Sequence, residues 1–527
     1  MNLEIVKKTH IIKDDVQTGT SSYFHSIPIA VSKSKIVLKG KALSSICSFN
    51  IIYGLKDLLL IGALTENPVL MTGGTDLGKT TLARLMMTSL FGKEEKGWHR
   101  LDFDLDFGKD AYTDVNSTFF HESGKSLKDL YSLHKWMQLP GFIADELNGA
   151  HPKIARKALH IIKEKDITLS DGRRVKIGQI LPDGSTYQFQ IATINEGKEY
   201  SGTFDLDKAL RRRTTIEIPL DIFRPSALDR LLLQKFQGVN GFEGMDKFDQ
   251  IIEIFNSIKD IKIHPVTELF ISYLQAFDYC KYSLTGEKSS IESKNGSVHH
   301  VCTQAVKVGS DTIGDMGCIF LRTFHNNLCS EVRGITPGVS KNLISVSKGF
   351  ALLRSVKFVE MMEGMINNNK EENLSYSISD LTVLTESLKS YVGKDVTGEV
   401  LAKLSIQKYI ENLEVEHEDI ISAMCFVLYS KIGLSPAWVT KYYQGNKFEA
   451  VSNFCNQADI HFREGLARPE LDNLSAIIQN GPDILQSDFV KIKDYCLTDN
   501  PWLWIALSPY FEKQNSHISK PYNLYDI

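Results

Sequence analysis

Gly73-Gly74-Thr75-Asp76-Leu77-Gly78-Lys79-Thr80 is the stretch that decides how this chain is read. It fits the pattern G-x-x-x-x-G-K-[ST]. Pro68-Val69-Leu70-Met71 precedes it as a short apolar strand. Leu82, Leu85, Met86 and Leu90 follow at helical spacing on one face. In a strand–loop–helix context the glycines let successive backbone N–H groups turn inward around an anion. The helix N-terminus adds partial positive charge. Gly73, Gly74, Thr75, Asp76, Leu77, Gly78, Lys79, Thr80 and Thr81 are therefore expected to cradle nucleotide phosphates. Lys79 can reach the β- and γ-phosphates, and the Thr80 hydroxyl can ligate Mg²⁺. A chance glycine-rich turn would account for neither the strand nor the helix.

Downstream, Leu139-Pro140-Gly141-Phe142-Ile143-Ala144-Asp145-Glu146 is an apolar strand ending in two carboxylates. An acidic residue at a strand end beside a phosphate loop can hold Mg²⁺ or its water shell, and the next carboxylate can activate water. Standing alone, Asp-Glu would be a surface dipeptide. Ile191-Ala192-Thr193-Ile194 is another apolar strand, ending at Asn195. Asn195 could reach a γ-phosphate or water, or serve as a strand-ending turn residue. Arg211-Arg212-Arg213 closes a short helical stretch from Leu206, followed by a strand, Ile216-Glu217-Ile218-Pro219-Leu220. The run is either a solvated helix end or a source of an arginine for a neighbouring subunit's phosphate.

At 527 residues the chain has room for two or three domains. It is 43% hydrophobic and 24% charged, with 60 Lys plus Arg against 64 Asp plus Glu, a net charge of −4. That balance gives no general attraction to nucleic acid or an acidic membrane. No apolar stretch approaches the ~20 residues of a membrane span. The N-terminal Met1-Asn2-Leu3-Glu4-Ile5 lacks a signal-peptide plan, so the expected location is the cytoplasm. The eight cysteines are then expected as thiols or ligands rather than disulfides.

Ile27–Val31 and Ser34–Leu38 suggest two short strands in an N-terminal extension over residues 1–48. A helix is expected over Gly54–Leu64, and a strand or ribbon over the alternating Leu101–Phe107. Pro152–Lys163 reads as a helix, and Asp166–Ile177 as a hairpin around Asp171-Gly172. Alternation of strands and helices from 54 to 220 predicts an α/β domain with a mainly parallel sheet. Beyond 225 the pattern is helical, broken by polar stretches at 283–298 and 364–377 that read as loops. The stripes Leu343, Val346, Phe350, Leu353 and Ile420, Ala423, Val427, Leu428 are expected as core.

The order of phosphate loop, Asp-Glu strand, strand-ending Asn and helix-ending Arg resembles an AAA+ ATPase of the MoxR-like branch, with its dynein-related members. Ile143-Ala144-Asp145-Glu146-Leu147-Asn148 is similar to that branch's acidic motif. Lys157–His160, Ile167–Leu169, Gly202–Leu206 and Ala209–Arg213 are similar to its following segments. The resemblance covers about residues 50–222 strongly and continues faintly to about 435, where Val415-Glu416-His417-Glu418-Asp419-Ile420 is similar to a helix start in the lid. It implies a P-loop NTPase (AAA+) parallel-sheet α/β core at 49–222, a helical lid at 223–440 and a helical C-terminal region at 441–527. It assigns phosphate and Mg²⁺ binding to Lys79 and Thr80, Mg²⁺ support to Asp145, water activation to Glu146 and the first sensor to Asn195. Arg213, with Arg211 as second choice, would be the finger acting in trans within a ring, usually a hexamer. Three positions depart from the family. Thr75-Asp76-Leu77 replaces a proline- and glycine-rich turn, and Asp76 brings negative charge near phosphate. Thr214 replaces a Phe, and Gly338 stands where the second-sensor Arg is expected, leaving Lys341 or Arg333 as substitutes.

Cys280, His299, His300, Cys302, Cys318, His325 and Cys329 crowd the presumed lid. Thiolates and imidazoles suit Zn²⁺, and Cys280, Cys302, Cys318 and Cys329 are the expected ligands of one structural ion. The cluster lacks a C-x-x-C pair, and core cysteines are the competing reading. The leading functional expectation is a Mg²⁺-dependent ATPase ring that remodels or activates partner proteins, whose client in the resembling systems often carries a von Willebrand factor A domain. The alternatives are a nucleic-acid-directed motor or restriction-type NTPase, and a nucleotide-binding module with little turnover.

Overall fold

The computed structural model describes residues 1–19, 28–40, 43–75, 77–102, 113–115, 131–148, 160–168, 174–196, 211, 213–222, 244, 246–275, 335–367, 406–407, 409–434 and 436–467, with isolated positions beyond 470. The chain divides into two units. The first comprises Met1–Ile261 and Ser345–Glu414, the second Lys262–Ile344 and Val415–Ile527.

The first unit opens with helix α1 (Leu3–Gly19). Ile5, Val6, Ile12 and Val16 bury one face, each side chain contributing about 1.5–3 kcal/mol. The same face holds Thr9 and Lys13, which masks the helical period in the sequence. Thr9 donates its hydroxyl to the Ile5 carbonyl at 2.8 Å, and Lys13 donates to Glu360 at 2.5 Å, so neither polar group is left unmet. The two short strands expected over 27–38 are instead one strand, β1 (Pro28–Gly40), paired antiparallel with β2 (Leu43–Gly54). Both are long because the ladder continues through the polar residues between the apolar runs.

Helix α2 (Leu55–Leu64) is buried on all sides, as its near-continuous apolar sequence requires. Its Gly54 amide donates to Asp57 at 2.9 Å, which fixes the helix start. Next come β3 (Val69–Gly73), α3 (Lys79–Phe91) and β4 (Trp98–Asp102). Strand β4 begins three residues earlier than the alternating pattern suggested, and 103–107 lie outside the described residues. Strands β5 (Gly141–Asp145), β6 (Phe189–Asn195) and β7 (Ile216–Pro219) complete the sheet. The spatial order is β7-β3-β6-β5-β4, and every pairing is parallel. Taken in chain order the five strands run 5-1-4-3-2. The central strands are buried throughout, as a parallel sheet covered on both faces must be. All five C-terminal ends meet at one edge, and the chain reverses its direction of winding beside β3, where open α/β sheets bind ligands.

The hairpin expected over 166–177 is present as Asp166–Thr168 paired with Arg174–Lys176. Of the helix expected over 152–163, the described part is a helical turn at His160–Glu164. Helix α4 (Phe248–Lys259) packs with α1 and α2. A long helix, α5 (Pro337–Asn367), runs into the start of the polar stretch expected as a loop at 364–377. Its residues Leu343, Val346, Phe350 and Leu353 are buried, as the stripe required.

In the second unit, helix α6 (His417–Leu428) starts where the lid-like motif placed a helix start, with the Glu416 amide donating to Asp419 at 2.9 Å. Ile420, Ala423, Val427 and Leu428 are buried. Helix α7 (Lys447–Leu466) packs on α6, and the rings of Phe270, His417 and Phe462 cluster between them. Cys425, Cys455 and Cys496 are free thiols, whereas Cys280, Cys302, Cys318 and Cys329 lie outside the described residues. No helix among the described residues is long and apolar enough to cross a membrane.

Helix α1 is tied to α5 by charge. His10 Nε2 lies 3.2 Å and Lys13 Nζ 2.5 Å from Glu360 Oε1, and Asp14 lies 3.5 Å from His10. The hydrogen bond with Glu360 raises the His10 pKa above 6.5, against burial and Lys13. Burial pushes the Glu360 carboxyl up, but His10 and Lys13 more than offset it and leave it at about 2. The raised His10 pKa adds stability that is complete below 6.5 and is lost as pH rises through the folded value. The lowered Glu360 pKa adds stability that is complete above 4.5 and is lost as pH falls towards about 2. His10→Ala should therefore lower the unfolding free energy, measured by urea denaturation at about pH 5.5, by an amount on the order of 1 kcal/mol or less, and change it little at about pH 9. Equal losses at both pH values would remove His10 from this ion cluster.

Candidate functional site

The phosphate loop spans from the end of β3 to the start of α3. Gly73 has φ +142°, and a Cβ there would lie 2.9 Å from Leu77 Cδ1. Gly78 has φ +78° and precedes the first turn of α3. Both glycines are needed for backbone that an L side chain rarely adopts. Lys79 is buried and donates from Nζ to the Gly73 and Gly74 carbonyls at 2.9 and 2.5 Å. Thr81 follows Thr80 on the first turn of the helix, and Asp76 is outside the described residues. The Gly74 amide donates to Asp221 Oδ1 at 3.1 Å, a contact from the end of β7 that the sequence did not reveal.

Asp145 ends β5 with 1% of its surface exposed. Its Oδ1 accepts from the Thr80 hydroxyl at 2.9 Å and the Thr193 hydroxyl at 2.5 Å. Its Oδ2 accepts from Arg100 Nε at 2.7 Å. The Thr80 proton thus points at Asp145, which leaves the Thr80 oxygen's lone pairs for a cation. A hydroxyl oxygen and a carboxylate are the hard donors that Mg²⁺ takes alongside water and phosphate, so these residues fit that ion.

Glu146 is the next residue, with φ 52°. The left-handed backbone turns its side chain away from the strand direction at the sheet edge. Its amide donates to Thr193 Oγ1 at 3.0 Å, and Asn195 Nδ2 donates to its Oε1 at 3.2 Å. Asn195 is itself clamped: Asn148 Nδ2 donates to its carbonyl at 2.6 Å, and its amide donates to Asn148 Oδ1 at 3.2 Å. The sheet register sets Asn195 opposite Gly73. Lys79, Thr80, Asp145, Glu146 and Asn195 therefore share one edge.

The arginines are placed differently. Arg211 forms ion pairs with Glu196 and, at 3.6 Å, with buried Glu217 on β7, so it adjoins the residue after Asn195. Arg213 Nη1 lies 3.2 Å from Glu164 Oε1. Thr214, at the position where the resembling family has Phe, donates its hydroxyl to the Arg211 carbonyl at 2.8 Å. In the second unit, Gly338 opens onto space, its nearest neighbour being Thr336 Oγ1 at 3.8 Å, and Lys341 is exposed.

Sequence reasoning missed Arg100, Thr193, Asn148 and Asp221. Arg100 lay before the alternating stretch, and Thr193 read as one more strand residue. Asn148 falls inside the acidic motif with no chemical signal of its own. Asp221 follows a strand with nothing to mark it.

No family model matches the chain. Two curated proteins do. "Putative chaperone BssE" of Thauera aromatica is 31% identical over 145 residues, covering 26% of this chain and 45% of that protein. "Protein MoxR" of Paracoccus denitrificans is 30% identical over 171 residues, covering 31% of this chain and 44% of that protein. The chain thus spans under half the length of each of these relatives. A solved structure of a "putative ATPase" from Cytophaga hutchinsonii aligns with a TM-score of 0.49 at 13% identity, over 86% of this chain and 96% of that one. The 5-1-4-3-2 parallel sheet, with the glycine loop between β3 and α3 and Thr80 held against Asp145, is an α/β P-loop NTPase fold, and over the matched stretches the chain is similar to MoxR and to the chaperone-named protein.

Proposed function

We propose that this chain binds ATP with Mg²⁺ and hydrolyses it. The observation that supports this most directly is the hydrogen bond from Thr80 to Asp145, with Lys79 behind it and the Glu146–Asn195 pair beside it. Thr80 and Asp145 would hold Mg²⁺, whose chemistry there is to neutralise charge on the phosphate oxygens. The loop amides and Lys79 bind the phosphates, and Lys79 must exchange its two carbonyl partners for phosphate oxygens to do so. Glu146 takes the proton of an attacking water as its oxygen bonds to the γ-phosphorus. The bond to the β–γ bridging oxygen breaks, and that oxygen leaves with ADP. Asn195 orients Glu146 before attack and can turn its amide to the water or the γ-phosphate.

We further propose that the protein acts as a ring that remodels a protein client. The name of the Thauera relative supports a chaperone-like task, and the family resemblance supports a hexamer and a client with a von Willebrand factor A domain. In the ring, Arg213 acts on a neighbour's γ-phosphate after leaving Glu164. Arg211 stays with Glu196 and Glu217 as a support within its own subunit. The four lid cysteines remain a proposal for structural Zn²⁺. A location in the cytoplasm is likewise proposed.

Two variants test the chemistry. Glu146→Gln should keep ATP affinity while turnover falls by about 10²–10⁴, because it removes the base and leaves the phosphate cradle. Lys79→Ala should weaken ATP binding by roughly tenfold or more, because a charge-assisted contact is lost. Calorimetric titration and steady-state phosphate release measure the two effects. Equal turnover by wild type and Glu146→Gln would end the assignment of the base. The same assay with DNA or RNA present should show no stimulation.

A mixing experiment tests the ring. A trans arginine contributes ~10³ or more in rate, and Lys lacks the planar fork to replace it. Arg213→Ala subunits keep an intact phosphate loop, and Lys79→Ala subunits keep an intact finger. Mixed assemblies should recover part of the activity that each parent lacks. Full activity of Arg213→Ala alone, or an active monomer at assay concentration, would show that the finger role is wrong.

A further inference from the structure

Arg100 lies at the site edge without a task in nucleotide chemistry. It stands on β4 two residues before Asp102, so both side chains project from the same face of the strand. The register between β4 and β5 sets Asp102 opposite Asp145. Two carboxylates therefore stand side by side on adjacent strands, and the Thr80 hydroxyl donates to one of them, Asp145, at 2.9 Å. Arg100 bridges them: Nε donates to Asp145 Oδ2 at 2.7 Å, and Nη2 donates to Asp102 Oδ2 at 3.2 Å. The guanidinium fork spans both acceptors at once, a geometry that a point-charge ammonium cannot reproduce.

Adjacent carboxylates with a hydroxyl at hand are the donor set that a divalent cation takes directly. Arg100 is hydrogen-bonded to both carboxylates and offsets one negative charge there. It also turns Asp145 so that Oδ1 alone faces Thr80. We propose that Arg100 is a positioning residue that bars a divalent cation from the Asp102–Asp145 pair. The cation then binds on the Thr80 side, where nucleotide phosphates complete its ligand shell, and it arrives with the nucleotide rather than before it. This rests on the nucleotide-site reading above. It adds an order of binding that the phosphate-loop residues do not impose.

The test uses the full chain without nucleotide and Mn²⁺ as the probe, with free Mn²⁺ followed by its paramagnetic resonance signal. Wild type should bind Mn²⁺ weakly. Arg100→Gln should bind it at least ~10-fold more tightly, since a unit charge in direct contact with the carboxylates is removed. Arg100→Lys, which keeps the charge, should stay nearer wild type. Asp102→Asn added to Arg100→Gln should abolish the gain, because it removes half of the unmasked pair. Arg100→Met repeats the measurement if the Gln variant does not fold. A residue that merely braced β4 would lower thermal stability without tightening Mn²⁺ binding. Unchanged or weaker Mn²⁺ binding by both the Gln and Met variants would overturn the proposal. Calorimetric titration of wild type with ATP and Mg²⁺ separates the two readings. If wild type binds nucleotide and the variants do not gain Mn²⁺, this inference alone fails. If wild type binds no nucleotide, the proposed function fails, while the nucleotide-free Mn²⁺ series still decides what Arg100 does.

Discussion

A carboxylate at 1% exposure is costly unless its lone pairs are met, and Asp145 meets this demand with donors from three elements. Thr80 comes from α3, Thr193 from β6 and Arg100 from β4. One buried group thus fixes the phosphate-loop helix and two neighbouring strands relative to each other. Removing it would take the acceptor from two hydroxyls and leave the Arg100 guanidinium with Asp102 alone of its two carboxylates. Thr193 extends the constraint, because it donates to Asp145 and accepts from the Glu146 amide. The residue proposed to hold Mg²⁺ and the residue proposed as base are therefore positioned by the same hydroxyl.

The sheet order explains why this constraint lies where a nucleotide could use it. Strand β3 delivers the loop and β6 pairs directly with it, so Asn195 comes level with Gly73. Strand β5 pairs with the other side of β6, so Asp145 and Glu146 arrive one strand further on. Polar groups at this edge are mostly engaged with one another. Lys79 sits on loop carbonyls, Glu146 on Asn195, and Arg211, beside Asn195, on glutamates. The proposed turnover would therefore require exchange of partners rather than assembly of the site from separate parts. Each exchange replaces one charge-assisted contact by another, so its net cost is small compared with breaking either.

The loop, the Asp145–Glu146 strand end and Asn195 were legible in the sequence because each couples a strong local signal to its chemistry. Glycines mark the positive-φ backbone at Gly73 and Gly78, and apolar runs ending in polar residues mark buried strands whose ends carry functional groups. The same logic found α2 and the buried stripes at 343–353 and 420–428. It failed at α1, whose buried face carries Thr9 and Lys13, because Lys13 is tolerated there only by Glu360, more than three hundred residues later. It failed at β1 for a related reason, since the ladder with β2 carries the strand through polar residues that interrupt the apolar pattern.

By itself, then, the sequence determined that a glycine-rich loop stands between a buried strand and a helix, that two carboxylates and an amide end further strands, and that the core is α/β. Those properties are local, set by backbone freedom and hydrophobic period within a few residues. Only the tertiary structure decided which groups meet. It paired Arg100 with Asp145, gave Thr193 its double hydrogen bond, clamped Asn195 through Asn148 and separated the partners of Arg211 from that of Arg213. The physical reason is that side-chain partnership depends on strand order and register. Both are settled by packing across the whole sheet, and neither leaves a mark at the residues it brings together.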